Sequence, residues 1–163
     1  MADRRFRITI LRMATVTVTR TDASENPHLI WNAFVDLLAS CGYAELSVEQ
    51  RPAYLVFWYD SEVFNGGHLQ YFQNRETEYL EETIVSLGLL GATCQQQVLR
   101  EAGALFLRHP RKQIRSLEEY AATAQEGEFS ALDQRFYDCS PSLQDCLERH
   151  FKEHQSRFVT IAE

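Results

Sequence analysis

The sequence predicts an all-α fold, a single-domain multi-helix bundle with a short N-terminal extension or strand. Three observations support this. Apolar residues recur at helical spacing through most of the chain after Asn26. Gly or Pro punctuates the periodic segments at short intervals, and start signals precede several of them. At 163 residues, 45% apolar and 12% aromatic, the chain is long enough to build a core without a disulfide or metal staple. The expected division is a basic extension over residues 1–25 and a helical domain over residues 26–163.

In chain order, Arg5 to Arg20 alternate in a β-like way, with Phe6, Ile8 and Ile10 followed by Thr15-Val16-Thr17-Val18-Thr19. The leader therefore reads as a strand, a hairpin arm or an unstructured extension. A helix is expected from Asn26, a good N-cap, with Pro27 at its first position; Ile30, Phe34, Leu37 or Leu38, and Cys41 form its stripe and Gly42 follows its end. Ser47-Val48-Glu49-Gln50 is a capping box for a helix that carries Pro52 near its start. Tyr54-Leu55-Val56-Phe57-Trp58-Tyr59 is apolar all round and makes that helix a buried central one. Gly66-Gly67 reads as a turn between helices that needs left-handed backbone angles. A further helix is expected over Tyr79 to Leu90, with Leu80, Ile84 and Leu87 inward and Glu78, Glu81 and Glu82 outward. Gly91 ends it, and Thr93 caps a helix carrying Val98, Leu99, Ala102, Leu105 and Phe106. Pro110 marks a break. Segments near 112–125, 130–138 and 142–158 complete the set, the last with Ser140 as cap and Pro141 at the first position.

Composition narrows the function classes. The first 20 residues hold five arginines and one acid, whereas the remaining 143 hold 11 Lys+Arg and 22 Asp+Glu. An acidic body repels phosphate backbones, so direct nucleic-acid binding is not expected, while a basic protein surface would be attracted. No apolar run approaches the roughly 20 residues that cross a bilayer, and Arg12 interrupts any signal-peptide core, so a membrane partner and secretion are both rejected. Cys41, Cys94, Cys139 and Cys146 form no Cys-x-x-Cys pair and are read as reduced, mostly buried thiols of a cytoplasmic protein. His150 and His154 share a helix face but lack a third ligand, and the chain shows no other metal or cofactor spacing. No metal and no cofactor are therefore assigned.

The most distinctive stretch is Glu62-Val63-Phe64-Asn65-Gly66-Gly67-His68-Leu69-Gln70-Tyr71-Phe72-Gln73-Asn74. Uncharged polar side chains sit there among aromatics that belong in a core, which is costly unless each finds a partner. Asn65, Gly66, Gly67, Gln70, Tyr71 and Asn74 are accordingly read as a structural motif that caps helix ends around the glycine turn and satisfies buried carbonyls. A pocket lined by Gln70 and Tyr71, or a general base at His68 with Tyr71 or Glu62 nearby, is the competing reading.

This run resembles the signature of the DNA-mimic protein C-terminal-domain family, a bacterial domain of otherwise unknown function. The similarity continues through Leu87-Gly88-Leu89-Leu90-Gly91-Ala92, through Ala102 to Phe106, and through Leu132-Asp133-Gln134-Arg135-Phe136-Tyr137. It spans roughly residues 45–155 with the blocks in order. The resemblance implies an all-α domain without enzyme chemistry, and an activity in which acidic side chains imitate DNA and occupy a DNA-binding protein. Acids one helical turn apart suit that role. Glu76, Glu78, Glu81 and Glu82 form one candidate partner-binding region and Glu118 with Glu119 a second, interrupted by Arg75 and by the basic stretch Arg108 to Arg115. The expected function is thus a non-catalytic, acidic protein-binding module facing a DNA-binding or other basic protein. Two alternatives remain: a small-molecule binder or enzyme centred on the Asn65–Asn74 turn, and an immunity-type protein that neutralises a basic toxin. The sequence leaves a homodimer open.

Overall fold

The computed structural model describes residues 14–108 and 114–163, so the expectations for residues 1–13 and for the break at Pro110 lie outside the described residues. Among the described residues there are eight α-helices and two short strands, which is the all-α class expected from the sequence. Contacts group the chain into two compact units, residues 1–50 with 155–163 and residues 51–154.

The first unit is built on a two-stranded parallel sheet. β1 (Val16–Thr19) pairs with β2 (Val159–Ala162) in the register Val16 to Val159. The Thr-Val alternation of the leader is therefore a strand, with β-branched side chains suited to a pleated surface. Its partner was not expected: the last helix was read as reaching residue 158, and the chain instead leaves it after His154 and turns extended at Val159. A parallel pairing between the two ends of a chain leaves no local trace in sequence. α1 (Arg20–Glu25) follows directly, capped by Thr19, whose hydroxyl accepts from the Asp22 N–H at 3.1 Å. α2 (His28–Ser40) buries Ala33, Phe34, Leu37 and Leu38, and Phe34 meets Phe158 edge-on at 4.9 Å. Asn26 does accept at the start of α2, from the His28 N–H at 3.2 Å. Gln50 is fully buried and fully satisfied: its amide donates to the carbonyls of Ala14 and Arg157, both at 2.7 Å, and accepts from the Ser47 N–H at 2.9 Å. The reach-back half of the predicted capping box thus ties residues far apart in the chain.

The second unit is helical throughout. α3 (Arg51–Arg75) is its central element and packs against α4 (Leu80–Leu89), α7 (Ser130–Asp138) and α8 (Leu143–His154); α4 and α7 also pack on α5 (Thr93–Leu107). α6 (Leu117–Gln125) completes the set. Leu80, Ile84 and Leu87 face inward as the spacing predicts. Three local expectations change. Ala92, not Thr93, occupies the cap position of α5, and Thr93 is its first helical residue. Ser142, not Ser140, caps α8, because its hydroxyl accepts from the Asp145 N–H at 3.1 Å while Asp145 accepts back from the Ser142 N–H at 3.2 Å. α6 starts only at Leu117, where the Ser116 hydroxyl accepts from the Glu119 N–H at 3.1 Å.

The cysteine expectation is also corrected. Cys94 and Cys139 are disulfide-bonded, with Cα atoms 5.7 Å apart, because the start of α5 and the end of α7 are brought together across 45 residues. Cys41 and Cys146 are free.

Candidate functional site

The distinctive motif lies inside α3, which is broken rather than looped. Gly66 is extended (φ −162°, ψ 27°) and Gly67 has φ +70° and ψ −171°, so only the second glycine uses a positive φ. The first is required by close approach: a Cβ there would lie 2.5 Å from Gln70 Oε1 and 2.6 Å from the Tyr120 hydroxyl oxygen. At Gly67 a Cβ would meet Asp133 Oδ2 at 2.5 Å.

The break frees backbone groups, and side chains from α6 and α7 take them up. Asp133 Oδ1 accepts from the His68 N–H at 2.8 Å, placing a carboxylate at the N-terminus of the second limb of α3. The Tyr120 hydroxyl donates to the Gly66 carbonyl at 3.3 Å, and the Tyr137 hydroxyl donates to the Val63 carbonyl at 3.1 Å. The His68 ring is fully buried, with Nδ1 2.6 Å from Asp133 Oδ1 and Nε2 2.9 Å from the Tyr59 hydroxyl. Burial first, then the neighbouring Tyr71, Asp133 and Asp60, push the Tyr59 phenol well above its ordinary range. Tyr59 therefore keeps its proton, and its hydroxyl and the Asp133 carboxylate engage the two nitrogens of the His68 ring. With both ring nitrogens engaged and the ring sealed from solvent, His68 offers no nitrogen to a substrate.

A second network surrounds Glu62, which is buried beside Val63. Its Oε2 accepts from the amides of Gln70 at 2.9 Å and Asn74 at 2.7 Å, and its Oε1 lies 3.9 Å from Arg75 Nε. Gln70 and Asn74 thus satisfy a buried carboxylate rather than the backbone carbonyls that the sequence suggested. Tyr71 is buried with its ring 5.1 Å from Tyr59. Asn65 is exposed and belongs to neither network. The Arg75 guanidinium sits 4.9 Å above the Trp58 ring. Its charge is held internally, so Arg75 does not interrupt the acidic surface in the way its position in the sequence suggested.

The six candidate glutamates are all exposed, in two places. Glu81 and Glu82 occupy the first turn of α4 and Glu118 and Glu119 the first turn of α6, where the helix dipole favours negative charge. Glu76 and Glu78 lie in the turn before α4, with Glu76 at φ +49° and Tyr79 at φ +57°. The helical spacing expected between Glu78 and Glu82 is therefore not realised, because α4 begins only at Leu80. Glu119 is partly committed to capping, since its Oε2 accepts from the Arg115 N–H at 2.7 Å. The basic stretch of residues 109–113 lies outside the described residues. No group of three or more potential metal ligands occurs among the described residues, and the His150 and His154 rings lie tilted by 54° with centroids 4.6 Å apart.

A family profile described as DMP19-like protein matches residues 44–154. The chain belongs to the DMP19-like family. No curated protein and no solved structure matches it significantly. The match agrees with the DNA-mimic resemblance read from the sequence, and it spans both buried networks. Two of the resembling blocks prove to be one contact in space: Asp133, Phe136 and Tyr137 of the later block close on Val63 to His68 of the earlier one, with Phe136 5.5 Å from Tyr59 and 5.8 Å from Phe64. In this DMP19-like chain the distinctive residues thus hold the fold, while the six glutamates stand outside that framework. Sequence reasoning missed Asp133, Tyr120 and Tyr137 as partners of the glycine break. The signal present was Glu62, an acid followed directly by the apolar pair Val63-Phe64.

Proposed function

We propose that this protein is a non-catalytic, acidic binding module that occupies the nucleic-acid site of a DNA-binding protein, acting as a DNA mimic. The observation that carries this reading is the set of carboxylates at Glu76, Glu81 and Glu118. They are exposed and have no partner among the described residues, Glu81 and Glu118 in the first turns of α4 and α6 and Glu76 in the turn before α4. Carboxylates at the starts of folded helices offer a basic groove the negative charge that phosphates would bring. Family membership supports the same reading. The ligand-site alternative around Asn65–Asn74 has less support, because Gln70 and Asn74 are committed to Glu62 and His68 to Asp133 and Tyr59. A cytoplasmic location suits a partner that binds DNA; the Cys94–Cys139 bridge is the observation that weighs against a reducing compartment.

The test is capture of partners at low salt on the parent protein and on a variant carrying Glu76→Gln, Glu78→Gln, Glu81→Gln and Glu82→Gln. A mimic retains a DNA-binding protein that duplex DNA then elutes, and the variant retains far less of it. Equal retention on both columns, or a partner that DNA does not displace, would overturn the reading.

A further inference from the structure

The segment made of α6 and α7 carries Glu118 and Glu119 and closes the glycine break, yet little apolar packing holds it. α6 buries no residue, and α7 buries only Phe136. Polar ties add to that hold. On α3 they run from the Tyr120 hydroxyl to Gly66, from the Tyr137 hydroxyl to Val63 and from the Asp133 carboxylate to His68. On α5 the Arg135 guanidinium pairs with both carboxylate oxygens of Glu101, and the Cys94–Cys139 bridge joins the second residue of α5 to the residue that ends α7. The bridge spans 45 residues of sequence and encloses both α6 and α7. Its two halves are unlike: Cys94 is exposed and Cys139 is buried, so solvent reaches the bridge on the Cys94 side.

We propose that this bridge is a redox latch on the second acidic region: a dithiol reductant opens it, and the α6–α7 segment with Glu118 and Glu119 then leaves its seat on the glycine break. A thiolate of the reductant attacks Cys94 Sγ, the S–S bond breaks, and Cys139 departs with the electron pair and takes up a proton. The second thiolate of the reductant attacks the mixed disulfide and frees Cys94. The bridge thus gains two electrons and two protons while the reductant becomes a disulfide. A bridge with an accessible half is the kind that thiol exchange opens and closes, unlike one sealed in a core. Opening it returns conformational freedom to the long loop it had closed. The polar tie left on α5 is the Arg135–Glu101 pair, whose side chains are 48% and 40% exposed, so salt screens it. The bridged form therefore holds Glu118 and Glu119 in place and the opened form does not. For its effect on binding the inference rests on the mimic reading; the latch itself does not.

The test is amide hydrogen exchange of the full chain, read by mass spectrometry of its peptides, with and without dithiothreitol under native conditions. Dithiothreitol should speed exchange over residues 63–70, 117–125 and 130–138 by about tenfold, more so at high salt, and leave α4 and α8 unchanged. A variant with Cys94→Ser and Cys139→Ser should exchange as the reduced parent does and should not respond to the reductant. Dithiothreitol acts on the parent itself, so a variant that fails to fold leaves the test standing. A bridge that stays closed in dithiothreitol, a change below about twofold in those segments, or an equal rise across the whole chain would each overturn the proposal. Partner capture without reductant should fall by about threefold on the variant, and undiminished capture would overturn the latch as a control of binding. A latch that opens while no partner displaced by DNA is captured would remove the mimic reading and leave the latch. A captured partner that DNA displaces, with a bridge whose opening moves nothing, would remove the latch alone.

Discussion

Replacing Gly67 by alanine puts a methyl group where the Asp133 carboxylate now sits, at 2.5 Å from Oδ2 and 2.9 Å from Cγ. Two costs combine. The backbone at φ +70° and ψ −171° falls in a region essentially reserved for glycine, which strains an alanine by about 1–3 kcal/mol. The carboxylate must also retreat, weakening its bonds to the His68 N–H and Nδ1, and a hydrogen bond to a charged group contributes about 1.5–3 kcal/mol. The expected loss is about 3–6 kcal/mol, which for a chain of this length lowers the melting temperature by about 6–24 °C. Urea unfolding followed by circular dichroism, at unchanged m-value, measures it. Asp133→Ala supplies the second arm. Removing the carboxylate removes the clash, so the double variant should be clearly more stable than the sum of the two single losses predicts, by about 1–3 kcal/mol. A Gly67→Ala protein within about 1 kcal/mol of the parent, or strictly additive losses, would refute the reasoning.

Glu62→Ala strands the amides of Gln70 and Asn74 beside Arg75 and should cost about 2–4 kcal/mol, whereas Glu62→Gln, which keeps an acceptor oxygen, should recover much of it; denaturant titration of the pair decides. Burial raises the Asp60 carboxyl to about 6, from an ordinary 3.8. The folded state then holds a proton that the unfolded state has already released, so stability falls as pH rises from about 4 to about 6 and levels off above. Asp60→Asn should flatten that fall and stabilise the protein at neutral pH, which thermal melts across the range would show. Cys139→Ser opens the bridge to Cys94 and should lower stability by about 2–4 kcal/mol, and peptide mapping of the unreduced parent should recover the two cysteines joined.

Most helices were legible from sequence where the information was local, although α1 (Arg20–Glu25), capped by Thr19, was read as part of the extension. The stripe of Leu80, Ile84 and Leu87, the central apolar run from Tyr54 to Tyr59 and the span from Ser130 to Asp138 needed only periodicity. Caps were less secure because good candidates compete: Ser140 and Ser142 both precede α8, and Asp145 selects the second by bonding back to it. The double glycine announced a break. It did not announce that Asp133, 65 residues later than His68, would fill it, since such a partner is set by packing of α7 on α3 and not by spacing. The roles of Gln70 and Asn74 were misassigned for the same reason, as amides suit carbonyls and carboxylates equally and only the fold shows Glu62 within reach. Strand β2 was hidden because Val159 to Ala162 adjoin a strongly amphipathic helix and their partner lies at the other end of the chain. The six glutamates were legible as exposed acids because charged side chains outside the apolar stripe of a helix face solvent.

The most direct test of the central claim is mutual exclusion on a purified DNA-binding partner. With the partner saturated by a labelled duplex, increasing amounts of this protein should release the duplex completely and in a concentration-dependent way. The protein with Glu76, Glu78, Glu81 and Glu82 changed to Gln should release little, although it folds like the parent. Formation of a ternary complex of partner, duplex and this protein would contradict the account.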